Sequence, residues 1–177
     1  MPLLHTERLE LIPVTLELVE AVMRGDRSLA ERLVEARLPE RWPGEQLIAR
    51  AFTPSLEAAR KDPQRRLWGD SLLIARQGER RVLGSVIFHG RPDDDGIAEV
   101  GYGVEESSQG QGYATEGTRA CVDWALEQPG VVAVTAVTFP WHIASLRVIQ
   151  KIGMKQIDTR EHAMLGEMLV FERRRGG

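Results

Sequence analysis

The stretch Gly103-Val-Glu-Glu-Ser-Ser-Gln-Gly-Gln-Gly-Tyr-Ala-Thr-Glu-Gly117 connects a predicted strand to a predicted helix through a glycine-rich turn. Gly110 and Gly112 allow the backbone to approach a ligand closely, which side chains would prevent. The first turn of the helix presents amide N–H groups that have no partner inside the helix. Together with the helix dipole, these amides favour a bound phosphate or pyrophosphate. The glycine spacing alone leaves open a tight turn without a ligand.

The segments on either side of this turn predict a mixed sheet. Strands are predicted at 7–15, 66–76, 82–89, 98–104, 131–138, 154–161 and 164–172, helices after Thr15 and Asp26 and at 53–62, 112–127 and 142–152, and a loop at 38–53. The connections within 66–104 are too short for parallel crossovers, so these strands should pair antiparallel. Parallel pairing is confined to strands that a helix joins. We therefore expect an α/β (α+β) fold with a mixed, mostly antiparallel sheet flanked by helices, in a single domain over residues 1–177.

A dinucleotide-binding oxidoreductase is the competing interpretation of the glycine-rich turn. Its Gly-x-Gly-x-x-Gly fingerprint follows the first strand of a βαβ unit. Here Thr115 occupies the position of the third glycine, and the turn follows an antiparallel meander beyond the middle of the chain. The context therefore argues against this interpretation.

The composition excludes several classes of partner. The 177 residues include 23 basic and 26 acidic side chains, a net charge of −3, which argues against binding nucleic acid or an anionic membrane by bulk charge. No segment approaches the run of about 18 apolar residues that spans a bilayer, and the first residues lack a signal-peptide layout. We therefore expect a cytoplasmic protein.

The single cysteine, Cys121, offers no internal disulfide and no metal cluster, and its place on an apolar helix face predicts a core residue.

The turn itself resembles a known family. Gln109-Gly-Gln-Gly112-Tyr-Ala114 is similar to the Gln/Arg-x-x-Gly-x-Gly/Ala signature of the GNAT superfamily of N-acetyltransferases. Further segments resemble the branch that acetylates the N-termini of ribosomal proteins, and these are residues 4–11, 98–102, 144–148 and 151–154. The resemblance implies a GNAT fold whose central parallel strands splay apart. It also implies transfer of an acetyl group from acetyl-CoA to a primary amine, by direct attack in a ternary complex.

The resemblance assigns a binding role to the glycine-rich turn. Backbone amides of this loop hold the CoA pyrophosphate in the family, which implies contacts from Gln109, Gly110, Gln111, Gly112, Tyr113 and Ala114. The pantetheine arm would lie between the strand around 103–105 and the strand at 131–138. A backbone N–H near Val104 would polarise the thioester carbonyl, as preorganised donors do in other oxyanion sites. Acetyl-CoA is thus expected as the co-substrate, and no metal is expected.

Two side chains are the candidates for proton transfer. Glu99 aligns with a glutamate that relatives use as a base, directly or through water, although a carboxylate is a weak base unless apolar surroundings raise its pKa. Ser145 matches the serine that the ribosomal-protein branch places beside the thiol.

Two positions depart from the family. His142 replaces an asparagine that contacts the CoA arm or organises the neighbouring loop, and Ile149 replaces a tyrosine that protonates the leaving thiolate.

The acceptor is the least determined part of the hypothesis. A protein N-terminus and a small-molecule amine both remain open, as does a catalytically silent CoA-binding or regulatory module. The resemblance is also compatible with a homodimer. Trp42 lies in the irregular stretch expected on the acceptor side. His89 and His162 are candidates for acceptor-side groups, but a lone histidine is more often structural or on the surface, so both stay outside the catalytic set.

Overall fold

The structure, a computed structural model, describes residues 1–40, 53–164 and 166–176. Its strands are β1 (Leu4–His5), β2 (Leu9–Pro13), β3 (Ser71–Ala75), β4 (Val82–Phe88), β5 (Ile97–Val104), β6 (Ala133–Thr138), β7 (Lys155–His162) and β8 (Gly166–Arg174). Its helices are α1 (Leu16–Met23), α2 (Arg27–Val34), α3 (Thr53–Lys61), α4 (Pro63–Arg66), α5 (Tyr113–Glu127) and α6 (Ile143–Lys151), with a 3-10 turn at Glu106–Ser108. Among the described residues, no helix has both the length and the apolar character needed to cross a bilayer.

The strands of the described residues form one eight-stranded sheet. Its order is β1-β2-β3-β4-β5-β6-β8-β7. Every neighbouring pair is antiparallel except β5 and β6, which are parallel. Helix α5 connects these two strands and supplies the crossover that parallel pairing requires. The predicted mixed, mostly antiparallel sheet is confirmed.

Local capping explains where several elements begin. The side chain of Thr15 accepts a hydrogen bond from Leu18 N at 3.2 Å, so the helix start predicted there is confirmed. The strand predicted at 66–76 is wrong in its first half. Asp62 caps α4, which has Pro63 as its first residue, and β3 begins only at Ser71. Proline suits this position because its fixed φ is helical and it has no N–H to satisfy.

Helices cover both faces of the sheet. Helices α5 and α6 lie on one face, and α1 and α2 lie on the other. Gly117 lets α5 pack closely on β3, because an added Cβ would lie 2.5 Å from a methyl carbon of Leu73. Cys121 is fully buried on the core-facing side of α5, as predicted, and burial raises the pKa of its thiol to about 12. Each large side chain buried in these layers stabilises the fold by roughly 1.5–3 kcal/mol.

Asp70 is a buried carboxyl just before β3. Its Oδ1 accepts the amide of Phe88 at 2.7 Å, and its Oδ2 lies 3.5 Å from Arg66 Nη1. Burial raises the pKa of this carboxyl to about 7, and the Phe88 amide and the Arg66 guanidinium offset only part of that effect. Below about pH 7, the carboxyl of Asp70 is therefore mostly protonated in the folded protein.

Replacing Asp70 with asparagine should make the stability of the protein less dependent on pH. The carboxyl binds its proton more tightly in the folded state than at its ordinary pKa of 3.8, so the wild type loses stability as the pH rises from about 4 to above 7. The amide oxygen of Asp70→Asn still accepts the Phe88 N–H and does not titrate. We expect the Tm of the variant relative to wild type to increase from pH 5 to pH 8 in thermal unfolding. If the difference in Tm between the variant and the wild type stays constant or decreases over this pH range, the raised pKa of the Asp70 carboxyl is contradicted.

Candidate active site

The central feature of the site is a cleft between β5 and β6. The two strands pair only from Ile97 with Ala133 to Glu99 with Thr135, and then they separate. Beyond that point β5 continues to Val104 while it remains paired with β4. The separation opens a cavity of about 630 Å³. The predicted splaying of the central parallel strands is therefore confirmed.

The register of β5 determines which of its backbone groups face the cleft. Glu99 O accepts a hydrogen bond from His89 N at 3.0 Å, and Glu105 N donates to Leu83 O at 2.8 Å. Odd-numbered residues of β5 thus direct their backbone groups toward β4. Backbone groups alternate in direction along a strand, so the even-numbered residues direct theirs into the cleft.

The cleft-facing residues include the predicted carbonyl-binding position. Val100, Tyr102 and Val104 line the cavity, and their N–H groups lie on its side of β5. The carbonyl oxygen of Val104 accepts a hydrogen bond from Gln109 Nε2 at 3.0 Å, which connects the strand to the glycine-rich loop. A row of fixed N–H donors along a cleft is suited to polarise a carbonyl group that lies in it.

The glycine-rich loop closes one end of the cleft. Gly110 and Gly112 have φ values of 73° and 86°, in the left-handed region that glycine adopts without strain. Within the part of the chain that the structure describes, a Cβ at Gly110 would meet no atom within 4 Å, which leaves space beside the loop for a ligand. The first-turn amides of α5 begin directly after Gly112. The predicted loop residues that line the cavity are Gln109, Gly110, Gly112, Tyr113 and Ala114, whereas Gln111 lies in the loop away from the cavity wall.

An ion pair between distant segments holds the loop. Arg8 Nε donates to Glu116 Oε2 at 2.7 Å, and Arg8 Nη1 donates to Gln111 O at 2.9 Å. The same guanidinium lies 4.6 Å from the centre of the Tyr113 ring, and Thr6 Oγ1 donates to Glu116 at 2.6 Å. Burial alone would raise the pKa of Glu116, but the hydrogen bonds from Thr6 and Arg8 together lower it. Sequence reasoning missed this cluster.

Glu105 organises the turn between β5 and the loop. Its carboxylate accepts hydrogen bonds from Ser107 Oγ at 2.6 Å and from Arg81 Nη1 at 2.9 Å, and it also contacts the Ser108 hydroxyl. Burial opposes ionisation, yet these hydrogen bonds outweigh it and lower the pKa of Glu105 to about 2. The carboxylate therefore remains charged and holds the turn at neutral pH.

Ser145 lies on the cleft wall and contacts a tyrosine that sequence reasoning missed. The hydroxyl of Tyr102 lies 3.0 Å from Ser145 Oγ and donates to Ser145 O at 3.1 Å. Ser145 is buried in the first turn of α6. Burial raises the pKa of Tyr102, so its hydroxyl keeps its proton at neutral pH. The only sequence signal was a polar residue at a core-facing position of a strand.

Glu99 lies on the other face of β5, away from α5. Its Oε1 lies 3.0 Å from His89 Nδ1, and its Oε2 lies 3.7 Å from Arg160 Nη1. The hydrogen bond from His89 lowers the pKa of Glu99, and the same bond raises the pKa of His89. The structure thus brings the predicted base together with a histidine that the sequence analysis left outside the catalytic set.

The remaining predicted positions lie around the start of α6. His142 is exposed, lines the cavity and immediately precedes the helix. Ile149 is buried and lines the cavity, but its aliphatic side chain has no hydroxyl to offer the cleft. His162 ends β7, with its ring 6.4 Å from that of Phe139. Trp42 lies outside the described residues.

Comparisons with known proteins agree on one family. The model of the acetyltransferase (GNAT) domain matches residues 8–155. The N-acetyltransferase YjdG of Bacillus subtilis, named as uncharacterized, is 27% identical over 153 residues, which cover 86% of this chain and 89% of YjdG.

Solved structures show the same fold. A GNAT-family acetyltransferase from Bacillus anthracis matches with a TM-score of 0.65 and 17% identity, over 99% of this chain and 100% of that chain. RimL, a ribosomal L7/L12 alpha-N-protein acetyltransferase in complex with coenzyme A, matches with a TM-score of 0.64 and 14% identity, over 96% of this chain and 95% of RimL. The family match spans most of the sequence and includes both the diverging strands and the glycine-rich loop, so the chain belongs to the GNAT acetyltransferase family.

Proposed function

We propose that this chain is an N-acetyltransferase that moves the acetyl group of acetyl-CoA to a primary amine, by direct attack in a ternary complex. The observation that carries this proposal is the meeting of the glycine-rich loop, the N-terminus of α5 and Ser145 around one cleft between β5 and β6. Acetyl-CoA supplies an activated acetyl group as a thioester. A protein N-terminus or a small-molecule amine would be the acceptor, and the protein would act in the cytoplasm.

The loop and the start of α5 fit an anionic group such as the CoA pyrophosphate. Gly110 and Gly112 remove side chains from the approach, and first-turn amides of α5 provide N–H donors at the positive end of a helix dipole. Such a site needs no cluster of basic residues, in keeping with the net charge of −3. The residues we assign to CoA are Val104, Gln109, Gly110, Gln111, Gly112, Tyr113, Ala114, His142 and Ser145.

The cleft-facing amides of β5 would stabilise the charge that develops on the thioester oxygen. Val104 was predicted for this role, and Val100 and Tyr102 present N–H groups along the same edge. Backbone donors fixed by a sheet need little reorganisation during the reaction, which makes them effective in electrostatic stabilisation.

Ser145 would protonate the departing sulfur. As the acceptor nitrogen bonds to the carbonyl carbon, the carbon–sulfur bond breaks, and the sulfur takes the hydroxyl proton of Ser145, which regains a proton from solvent. The Tyr102 hydroxyl fixes Ser145 through contacts to both Oγ and the carbonyl oxygen. This arrangement fills the role that Ile149 cannot fill.

The acceptor would approach along the face of β5 that carries Glu99. Side chains alternate along a strand, so Glu99, Gly101 and Gly103 share the face opposite the core residues Ala98 and Val100. A Cβ at Gly103 would meet no atom of the described residues within 4 Å. The glycines therefore leave an open trough from Glu99 toward the end of β5, and we place deprotonation of the acceptor at Glu99 together with its hydrogen-bond partner His89.

An acceptor panel tests the proposed function directly. Thiol release from acetyl-CoA would be measured with free amino acids, glucosamine, spermidine and a tripeptide amide with a free N-terminus. We expect at least one amine to accelerate thiol release, with N-acetylated product detected by mass spectrometry. CoA binding by calorimetry without thiol release for any amine would favour the silent CoA-binding module. Tight NAD(P)H binding without CoA binding would instead support the oxidoreductase.

Replacing Arg8 with glutamine should weaken CoA binding. The variant loses the charged contacts to Glu116 and the hydrogen bond to Gln111 O, so the loop is no longer held beside the N-terminus of α5. We expect the Kd for CoA, measured by calorimetry, to rise about 10-fold, which is about 1.4 kcal/mol. The matched control is Arg60→Gln, which removes an exposed contact to Glu20 on the other face of the sheet and should leave the Kd unchanged. Equal Kd values for Arg8→Gln and wild type would contradict the role of this ion pair.

A double-mutant cycle tests whether Tyr102 acts through Ser145. We expect Ser145→Ala to lower kcat about 100-fold, the lower range for loss of a general acid. Tyr102→Phe should lower kcat about 10-fold when Ser145 is present and should have no effect in the Ser145→Ala background, because coupled residues are not additive. Independent, multiplying effects would show that Tyr102 does not work through the serine.

A further inference from the structure

We propose that His89 is the catalytic base that takes the proton from the acceptor amine, and that Glu99 acts as a positioning residue for it. This inference rests on the proposed function and specifies the atom that accepts the proton. It assigns a role to a side chain that sequence reasoning left outside the catalytic set. The argument depends on the orientation, exposure and charged surroundings of the imidazole.

The hydrogen bond to Glu99 orients the imidazole ring. His89 Nδ1 lies 3.0 Å from Glu99 Oε1, and a carboxylate can only accept, so Nδ1 carries the proton of this bond. In the neutral ring, Nε2 is then the nitrogen with the free lone pair. A carboxylate that holds one nitrogen of a histidine while the other exchanges a proton is the arrangement of a general base in catalytic triads.

The free nitrogen faces the trough. His89 Nε2 lies 3.9 Å from the place that a Cβ at Gly101 would occupy, so the imidazole lies beside the bare backbone of β5. The side chain of His89 is 60% exposed, whereas that of Glu99 is 31% exposed. An amine that enters the trough therefore meets the imidazole more readily than the carboxylate behind it.

The charges around the pair favour His89 over Glu99 as the base. Glu99 on β5 contacts the ring directly, and Arg160 on β7 lies on the far side of Glu99. Arg66 and Asp70 both bind the backbone of Phe88, at the end of β4 that His89 follows, and they act on the pKa of His89 in opposite directions. The hydrogen bond from His89 lowers the pKa of Glu99, which makes this carboxylate a weaker base. The bond to Glu99 raises the pKa of His89 from 6.5, closer to the pKa of an amine.

The proton balance is complete with groups already in the site. Neutral His89 takes one proton from the acceptor ammonium through Nε2 and later releases it to solvent, which its exposure permits. The free amine attacks the thioester carbonyl, the carbon–nitrogen bond forms and the carbon–sulfur bond breaks. The second nitrogen proton is lost to solvent as the amide forms, and the sulfur takes a proton from Ser145.

The pH dependence of His89→Gln and Glu99→Gln tests the inference, with the panel amine that reacts fastest. We expect the kcat/KM of the wild type to rise with pH through the pKa of His89. His89→Gln should lower kcat/KM about 100-fold at pH 7, and the loss should shrink toward pH 9, because more of the amine is then already neutral. Glu99→Gln keeps an oxygen that accepts the Nδ1 proton but loses the charge. The rise in kcat/KM should therefore move to lower pH, and the loss of kcat/KM at pH 7 should be smaller than in His89→Gln.

Imidazole NMR provides a readout that needs no substrate. The sequence has four histidines, so the His89 signal can be assigned by its loss in His89→Gln. We expect its pKa to lie above 6.5 in the wild type and to fall in Glu99→Gln. The matched control is His5→Gln, which removes another half-exposed histidine beside a glutamate, Glu10 at 3.4 Å, and should leave kcat/KM unchanged.

The outcomes separate the inference from the proposed function. If the wild type is active and His89→Gln shows the same pH profile, the role of His89 is overturned and the proposed function stands. A loss of 100-fold or more in Glu99→Gln, with His89→Gln near wild type, would make Glu99 the base itself. A wild type that releases no thiol with any amine would overturn the proposed function, and the role of His89 with it.

Discussion

The end of backbone pairing between β5 and β6 is the constraint on which the site depends. After Glu99 and Thr135 the two strands no longer bond to each other, yet each remains held on its outer side. β4 pairs with β5 as far as Val104, and β8 pairs with β6 as far as Thr138. Neither strand can turn inward to close the gap without breaking those ladders. The cleft-facing N–H groups therefore remain open to a ligand. The free-energy cost of leaving these donors outside the sheet ladder can be offset by a bound carbonyl group or by solvent.

The alternation of β5 gives consecutive residues different tasks. Ala98 and Val100 pack into the core beneath α5, and Tyr102 extends the same row to reach Ser145. On the opposite face, Gly101 and Gly103 leave a trough beside Glu99. One strand thus borders the cleft with its backbone edge, contacts Ser145 from one face and leaves an open trough on the other. The physical reason is the two-residue period of side chains along an extended chain.

The supply of backbone N–H donors and the overall charge are independent in this fold. The glycine-rich loop and the N-terminus of α5 offer amide N–H groups, which add nothing to the net charge of −3. The guanidinium of Arg8, which donates to the loop at Gln111 O, is paired with Glu116. Composition argued against a partner bound by bulk charge, but composition does not register backbone N–H donors.

The sequence by itself determined most of the order of elements, the starts of the longer helices and the glycine-rich turn, because caps, glycines and hydrophobic periods are local signals. It missed the short helix α4. It also placed Glu99 and Ser145 as candidates through resemblance, and their roles remain predictions. Only the tertiary structure joined Arg8 to Glu116, 108 residues away, and Tyr102 to Ser145, 43 residues away. The pairing of His89 with Glu99 likewise depends on the register of β4 against β5, and a shift of one residue would turn each side chain to the opposite face. Local sequence signals do not specify that register, and the contacts of the site follow from it.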